Sequence, residues 1–454
     1  MSSLANKNYG SGVSLETIRG FAESFAADPV KQLVMNAVVK NGLPNTAENY
    51  MSGVNMQHTF SIQIETGKVT NQKSSGRCWL FAGLNTLRLE IMRKCNLKHF
   101  ELSQNFPMFW DKFEKANYFL DSIIETADEP VGSRVLDHLL AAPMQDGGQW
   151  DMFAALVEKY GAAPQSQMPE TFHSSSTGVM NKYLTLKLRE FAVVLRNAYA
   201  GGQTREQLAE QKTDMLRTIY QMLCICLGNP PTAFDFEYRD KDKKFHRESG
   251  LTPLTFAEKY IGSSLDDYVS LINAPTADKE YYKTFTVQYL GNVKGGREVK
   301  YLNLPSDELK ALAIAQLSDD QPVWFGCDVG QWLSRENGAM DLDSFNYEGV
   351  LFTKFPLTKA ERLDYRESML THAMVFLGVN LVDGKPNRWK VENSWGDKAG
   401  KEGWFIMSDA WFDEFNYQIV VHKKYLNEKQ LAALGLAPIV LKPWDPMGSL
   451  ALMH

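Results

Sequence analysis

The feature that most constrains the fold is a change of hydrophobic pattern along the chain. Residues 100–225 place apolar side chains mostly at helical spacing, and Asn229-Pro230-Pro231 ends this stretch because proline cannot continue the backbone hydrogen-bond ladder. Residues 371–407 instead hold three strand-like runs, which are Ala373–Val379, Arg388–Glu392 and Gly403–Met407. A helix-rich middle followed by a strand-rich part predicts an α+β fold.

Shorter patterns locate individual elements. Ser14 precedes apolar residues at near-helical spacing, so we expect it to cap a peripheral helix within the first fifty residues. Residues 78–92 carry apolar side chains along one side and predict a strong helix after the turn at residues 73–77. Residues 285–303 alternate in polarity around Lys294-Gly295-Gly296-Arg297, which predicts a hairpin.

The size and composition of the chain limit the class of protein and its compartment. The chain has 454 residues, of which 44% are hydrophobic and 22% charged, so it can bury a large core. The formal net charge of -6 argues against a nucleic-acid coat. The first residues do not have the pattern of a secretory signal, and no apolar run approaches the ~18 residues of a membrane span. We therefore expect a cytoplasmic protein without a membrane partner.

The cysteines agree with that expectation. The chain has five, an odd number scattered over its length, which fits a reducing compartment better than a disulfide framework. Cys224 and Cys226 lie in an apolar helical stretch without nearby histidines, so we interpret them as packing residues. We expect neither a metal site nor a cofactor.

Three separated runs contain candidate catalytic residues. Cys78 lies in the first turn of a predicted helix, where the helix dipole favours a thiolate, and Gln72 can direct an amide donor at the same place. His372 enters an apolar strand and can act as a base and then an acid, while Asn393 can orient its ring. Each residue alone is better explained as structural. Their joint occurrence in the order Gln, Cys, His, Asn predicts nucleophilic catalysis.

This arrangement resembles the papain superfamily of cysteine peptidases. The run around the nucleophile is Ser75-Gly76-Arg77-Cys78-Trp79, and Ser75 stands where secreted relatives have a disulfide cysteine. His372 follows Cys78 by 294 residues, whereas the superfamily pattern has about 130–150. We therefore expect roughly 150 inserted residues, most of them in the helix-rich middle.

Further runs are similar to the bleomycin hydrolase and bacterial aminopeptidase C family. They are residues 146–151, 226–231, 237–243, 323–328 and 444–451. The resemblance implies an α+β fold in which a papain-like core, with a helical left half and a β-barrel-like right half, carries a large mostly helical insertion and an oligomerisation hook. The expected divisions are an N-terminal helical segment (1–59), the nucleophile half (60–160), the insertion and hook (161–315), the His/Asn half (316–435) and a C-terminal arm (436–454).

The resemblance also implies an activity, that of a cysteine aminopeptidase that removes N-terminal residues from short peptides. Cys78 is then the nucleophile, a thiolate with a pKa near ~3–4 paired with the His372 imidazolium. Asn393 orients His372, Gln72 and the Cys78 backbone N–H form the oxyanion hole, and Trp395 shields the His372–Asn393 hydrogen bond.

Substrate binding is expected at two places in the chain. Gly147 and Gly148 match the backbone that pairs with an extended substrate, although a plain turn before the helix at Trp150 is the alternative. In the family the C-terminus lies in the cleft and its carboxylate holds the substrate amino group, which assigns substrate binding to Leu450 and Ala451. Residues 452–454 continue past the usual family end, so we expect them to be trimmed or to alter specificity.

The family resemblance implies a homo-oligomer, a hexameric ring whose active sites face an inner cavity. One alternative is an ordinary endopeptidase, and another is an inactive scaffold, which the four competent catalytic side chains disfavour. A third is a ring that binds nucleic acid. Its basic candidates are Arg239, Lys241, Lys243, Lys244, Arg247, Lys294, Arg297 and Lys300, but Asp240, Asp242 and Glu248 interrupt the first cluster. We expect nucleic-acid binding at most as a weak side activity.

Overall fold

The computed structural model describes residues 12–262 and 265–449. These residues form two compact units. One contains the described residues up to Asn55 together with Asp343–Pro356, and the other contains Met56–Leu342 and the described residues from Leu357 onward. The finer domain boundaries expected from the sequence stay predictions.

The described helices are, in chain order, α1 (Leu15–Ala26), α2 (Pro29–Asn41), α3 (Leu43–Ala47), α4 (Tyr50–Asn55), α5 (Cys78–Lys94), α6 (Asn105–Glu125), α7 (Arg134–Ala141), α8 (Trp150–Tyr160), α9 (Phe172–Ser175), α10 (Gly178–Ala200), α11 (Arg205–Leu227), α12 (Pro253–Tyr260), α13 (Ser306–Ser318), α14 (Tyr347–Leu351), α15 (Lys359–Asp364), α16 (Asp409–Phe415) and α17 (Glu428–Leu434). Short 3₁₀ turns occur at Leu265–Asp267, Lys423–Tyr425 and Pro446–Gly448. In the part of the chain that is described, none of the helices has both the length and the apolar character needed to cross a bilayer.

The described strands are β1 (Ile62–Gln63), β2 (Phe234–Arg239), β3 (Phe245–Leu251), β4 (Tyr268–Ile272), β5 (Thr284–Val287), β6 (Tyr301–Asn303), β7 (Val323–Cys327), β8 (Leu333–Ser334), β9 (Ala339–Met340), β10 (His372–Val382), β11 (Lys385–Glu392), β12 (Trp404–Ser408), β13 (Asn416–His422) and β14 (Ile439–Leu441). The three strand-like runs predicted from the sequence are confirmed as β10, β11 and β12. The predicted hairpin is confirmed as the antiparallel pair β5–β6, although the residues joining them are not strand.

The smaller unit is built from α1, α2, α3, α4 and α14. Ser14 caps α1 by accepting the backbone N–H of Thr17 at 3.1 Å, as the sequence predicts. Asp28 caps α2, whose first residue is Pro29, a residue well suited to that position. Neither α1 nor α2 contains a buried residue within this chain. Their exposed apolar side chains include Leu15, Ile18, Phe21, Leu33 and Val39.

A mixed sheet of twelve strands forms the centre of the larger unit. The strand order is β14-β5-β6-β4-β13-β7-β10-β11-β12-β9-β8, with β1 also paired to β10. Strands β4, β5 and β6 come from the region expected to be a helical and hairpin insertion, and they extend the sheet beyond β13. Among the described strands, the outer strands β14 and β8 do not pair with each other. The half expected to be barrel-like is therefore an open sheet, because strands from the insertion and the tail lengthen one side of it.

Helix α5 lies in the core of the larger unit and packs against β10 and α8. It is buried on nearly all sides, which explains why its apolar residues are not confined to one face. Arg88 on α5 forms a buried ion pair with Glu392, the last residue of β11, and Asn85 donates to the same carboxylate at 3.2 Å. This pairing connects the middle of α5 to the strand end that precedes Asn393.

Candidate active site

Cys78 is the first residue of α5 and is 1% exposed. Burial raises the pKa of its thiol, while the nearby backbone N–H groups of Ala373, Trp79 and Cys78 act to lower it. Ala373 follows His372 at the beginning of β10. The sulfur therefore lies where the N-terminus of α5 meets the start of β10, as the separated sequence runs predict.

Asn393 holds the imidazole of His372. Its Oδ1 lies 2.9 Å from Nε2 of His372 and also accepts the backbone N–H of Ser394 at 2.8 Å. Because this oxygen is an acceptor, Nε2 of His372 must carry the hydrogen in their bond. The other ring nitrogen, Nδ1, is then available to take up and return a proton.

Burial acts against charge on both reacting groups. Burial raises the pKa of the Cys78 thiol to about 12, and the negative charge of Asp146 adds to this effect. Burial lowers the pKa of His372 to about 4, while its hydrogen bond with Asn393 acts in the opposite direction. Burial therefore opposes the resting thiolate, with a pKa near ~3–4, that the sequence predicts.

Gln72 is buried beside the nucleophile turn. Its Nε2 donates to the carbonyl of Ser75 at 2.6 Å, and its Oε1 accepts the hydroxyl of Ser394 at 2.9 Å. The backbone N–H of Gln72 also donates to the carbonyl of Ser394 at 2.8 Å. The second hydrogen of Nε2 has no acceptor among the described residues, so it can serve a developing oxyanion.

Ser75 holds the turn before Cys78 through hydrogen bonds. Its hydroxyl donates to the carbonyl of Gln72 at 2.6 Å and accepts Nε of Arg77 at 2.9 Å. Arg77 in turn forms a two-pronged ion pair with Glu170, at 2.9 and 2.7 Å. The five cysteines are free. The turn before the nucleophile is therefore held without a covalent bridge.

Trp395 lies against His372. The centroids of the Trp395 and His372 rings are 5.0 Å apart, with 39° between their planes. The guanidinium of Arg335 lies over the Trp395 ring, 4.9 Å from the ring centroid. The positive charge of Arg335 also contributes to lowering the pKa of His372. The shielding role of Trp395 stays a prediction, and Arg335 is a member of the site that the sequence did not indicate.

The segment with Gly147 and Gly148 passes directly beside the nucleophile helix. The carbonyl of Gly147 accepts Nζ of Lys115 at 2.6 Å, so it is already occupied. The backbone N–H and C=O of Gly148 have no partner among the described residues. A Cβ on Gly148 would lie 2.5 Å from the Trp79 ring, so a larger residue would not fit. Of the two glycines, Gly148 has the backbone groups that remain for an extended substrate.

Asp146 connects this segment to the nucleophile turn. One carboxylate oxygen accepts the backbone N–H of Gly76 at 2.9 Å, and the other accepts Nζ of Lys112 at 2.6 Å. Its backbone carbonyl accepts Nε1 of Trp79 at 2.8 Å. Lys112 and these hydrogen bonds overcome the effect of burial and hold the Asp146 pKa well below its usual range. Asp146 is therefore a buried carboxylate anion that fixes the turn before Cys78.

The last described residues lie next to Gly148. Gln149 donates its Nε2 to the carbonyl of Ser449 at 3.2 Å, and Lys279 forms a 3.0 Å ion pair with Asp445. A cavity of about 400 Å³ adjoins this tail. Its lining includes Lys115, His138, Gln145, Tyr289, Arg366 and Met369. Leu450 and Ala451, which the sequence assigns to substrate binding, and residues 452–454 lie outside the described residues.

The structure thus brings Gln72, Cys78, His372, Asn393 and Trp395 together. Three further residues at this site had no role assigned from the sequence, namely Asp146, Arg335 and Ser394. Asp146 directly precedes Gly147, and Ser394 directly follows Asn393. Their positions beside predicted site residues were therefore a signal that they could belong to the site. Arg335 had no such signal, because it contacts the site only through the fold.

Comparison with known proteins identifies the family of this chain. Residues 12–448 match the model of the Peptidase C1-like family. The chain is 51% identical to Aminopeptidase C of Listeria monocytogenes over 440 residues, which cover 97% of this chain and 99% of the relative. It is 40% identical to bleomycin hydrolase of Mus musculus over 450 residues, which cover 97% and 99% of the two chains. The crystal structure of PepW from Lactobacillus rhamnosis superposes with a TM-score of 0.96 at 52% identity, and the match covers 97% of this chain and 100% of that one.

The chain belongs to the Peptidase C1-like family, the cysteine peptidases with a papain-like fold. Within it, the relatives assign the chain to the aminopeptidase C and bleomycin hydrolase group, and it is an enzyme of the cysteine-type aminopeptidase class. The family resemblance and the α+β papain-like fold predicted from the sequence are therefore confirmed.

Proposed function

We propose that this protein is a cytoplasmic aminopeptidase that removes N-terminal residues from short peptides through a Cys78 acyl-enzyme. One observation carries the proposal. The Asn393 oxygen takes the Nε2 hydrogen of His372, which leaves Nδ1 as the proton acceptor beside a cysteine at a helix N-terminus. A nucleophile, a base and an orienting residue in this order define nucleophilic peptide hydrolysis.

In the first half of the reaction, Cys78 transfers its proton to Nδ1 of His372 and its sulfur attacks the carbonyl carbon of the first peptide bond. The thiolate–imidazolium pair formed by this transfer is stabilised by the helix N-terminus and by the N–H groups directed at the sulfur. The carbonyl oxygen becomes an oxyanion, which the Cys78 backbone N–H and the free Nε2 hydrogen of Gln72 stabilise.

In the second half, His372 returns the proton to the departing amine, and a thioester remains on Cys78. Water then attacks the thioester, with His372 again taking a proton, and the N-terminal amino acid is released. Ser394 supports both halves of the reaction. Its hydroxyl and carbonyl hold Gln72, and its N–H holds Asn393, so one residue keeps the oxyanion donor and the histidine aligned.

The C-terminal arm gives the preference for free amino termini. The described tail is hydrogen-bonded to Gln149 through Ser449, beside Gly148, which supports a role for the C-terminal arm in closing the acyl side of the cleft. A carboxylate there would bind the substrate ammonium group and leave room for one residue before the scissile bond. The names of the relatives, Aminopeptidase C among them, agree with this specificity.

Compartment, assembly and partners complete the proposal. The free cysteines, with Ser75 in place of a bridging cysteine, support a reducing compartment such as the cytoplasm. The exposed apolar side chains of α1 and α2 support a homo-oligomer, which we propose to be a hexamer. We infer that nucleic-acid binding is at most a weak side activity, since several basic candidates are neutralised by carboxylates. These pairs are Arg247 with Asp235, Lys294 with Glu125, and Arg297 with Asp151.

Substitution of the nucleophile tests the activity. Cys78→Ala removes the attacking sulfur, so hydrolysis of an aminoacyl anilide should fall on the order of 10⁶-fold, as in a serine peptidase without its nucleophile. Cys224→Ala is the matched control, because this half-buried cysteine lies on α11 away from the site, and it should keep wild-type turnover. A Cys78→Ala enzyme that still hydrolyses the anilide would refute the proposed mechanism.

A further inference from the structure

The proposed reaction assigns no role to the guanidinium of Arg335. It follows β8 and precedes β9, is exposed, and lies with its guanidinium over the Trp395 ring. The guanidinium forms no ion pair or hydrogen bond with a described residue. Stacking on the indole restricts its plane and leaves its N–H edges free. An oriented guanidinium with free edges is a receptor for a carboxylate.

The neighbours of Arg335 show which part of a peptide it faces. His372 returns its proton to the departing amine, so the leaving portion of the substrate must pass over His372. The acyl portion lies on the opposite side, towards Gly148 and the tail bonded to Gln149. Trp395 adjoins His372, and Arg335 adjoins Trp395. Arg335 is therefore on the leaving-group side of the cleft.

The separations limit the length of the leaving portion. The His372 and Trp395 rings are 5.0 Å apart and Arg335 is 4.9 Å from the Trp395 ring, so the guanidinium lies within about 10 Å of the histidine. An extended chain advances about 3.3–3.6 Å per residue. With a hydrogen bond of about 3 Å at each end, about 4 Å of this span remains, which fits one residue.

We propose that Arg335 binds the C-terminal carboxylate of dipeptides, and so makes dipeptides with a free carboxylate preferred substrates. This inference rests on the proposed aminopeptidase function and specifies its substrate class. The carboxylate is present before reaction, so the contact strengthens substrate binding and acts mainly on KM. It discriminates a free acid from the same peptide with a C-terminal amide.

The test compares alanyl-phenylalanine with alanyl-phenylalanine amide in each variant, using the ratio of their kcat/KM values. We expect the wild-type enzyme to prefer the acid about five- to tenfold at low salt, as for an exposed charge-assisted contact. Arg335→Gln should bring the ratio close to one through a higher KM for the acid. The control Arg217→Gln removes a guanidinium that is 75% exposed on α11, and it should keep the wild-type ratio.

Two further measurements separate the possible outcomes. Arg335→Lys restores the charge and should recover part of the preference, which a folding defect in Arg335→Gln would not produce. Raising ionic strength to about 1 M should reduce the wild-type ratio, because the screening length falls to about 3 Å. If both peptides are hydrolysed and the ratio is the same in Arg335→Gln, this inference is wrong and the proposed function stands. If neither peptide is hydrolysed by the wild type, both fail.

Discussion

Cys78 and His372 are held in a buried environment that penalises charge on each of them. The Cys78 thiol pKa is raised to about 12 and the His372 pKa is lowered to about 4, in both cases chiefly by burial. Between these two pKa values, Cys78 and His372 together hold one exchangeable proton, which either the sulfur or Nδ1 can carry. Attack requires that Nδ1 of His372 be free to accept this proton.

The pH dependence of turnover follows from the lowered His372 pKa. Above a pH of about 4 the imidazole is neutral and can take the Cys78 proton, and as pH falls through this value a second proton occupies it. We expect kcat/KM for an aminoacyl anilide to stay level down to about pH 5 and to fall with an apparent pKa near 4. Return of samples to pH 7 controls for acid unfolding. A reversible acid limb above pH 6 would show that burial does not govern His372.

The sequence predicts some site residues and not others for a physical reason. Cys78, His372 and Asn393 carry side chains whose chemistry is recognisable, and their surrounding runs follow a known pattern. Ser394 and Arg335 act through contacts with residues distant in sequence, such as the 322-residue separation between Ser394 and Gln72. The burial of the Cys78 thiol could also not be predicted from the sequence, because its solvent exposure depends on the packing of α5 against β10. The resting ionisation of the pair therefore required the structure.

At the scale of elements, the tail is fixed by a few specific contacts. The 3₁₀ turn Pro446–Gly448 follows Asp445, which pairs with Lys279, and Met447 is 1% exposed. The carbonyl of Ser449 accepts from Gln149, immediately after Gly148. The sequence predicted the strands of the His/Asn half because each has a regular pattern. It did not predict that β4, β5, β6 and β14 join the same sheet, since strand partners are chosen by tertiary packing.

Removal of the tail should change the kind of cleavage. Under the role that we propose for the C-terminal arm, deleting residues 449–454 should open the acyl side of the cleft and allow new hydrolysis of peptides with a blocked amino group. Cleavage of N-acetylated peptides, followed by mass spectrometry, measures this change. Gln149→Ala keeps the tail length but removes its bond to Ser449, and it should give an intermediate result. A deletion enzyme unable to cut blocked peptides would contradict the role of the tail.

At the scale of the whole molecule, the helices of the smaller unit expose more apolar surface than a solitary chain needs. Leu15, Ile18, Phe21, Leu33 and Val39 are all exposed on α1 and α2, which have no buried residue. Helices of this kind gain stability when their apolar side chains are covered by another surface. A second copy of the chain is the partner that we propose.

Charge placed among these side chains should dissociate the assembly. Phe21→Asp combined with Leu33→Asp would bury two carboxylates in the interface, so we expect a smaller particle than the wild type. Light scattering after size-exclusion chromatography measures the molar mass. Lys385→Asp, an exposed change at the first residue of β11, is the control and should leave the mass unchanged. Equal masses for wild type and the double variant would exclude this surface from the assembly.

The hydrogen bonds of Ser75 affect how the protein tolerates reducing conditions. Reductants that keep a thiol reduced also cleave disulfides, so a turn braced by a disulfide would lose its support under the same conditions. Here the turn is held by Ser75, Arg77 and Glu170, none of which reacts with a thiol. Conditions that protect the nucleophile therefore leave its support intact.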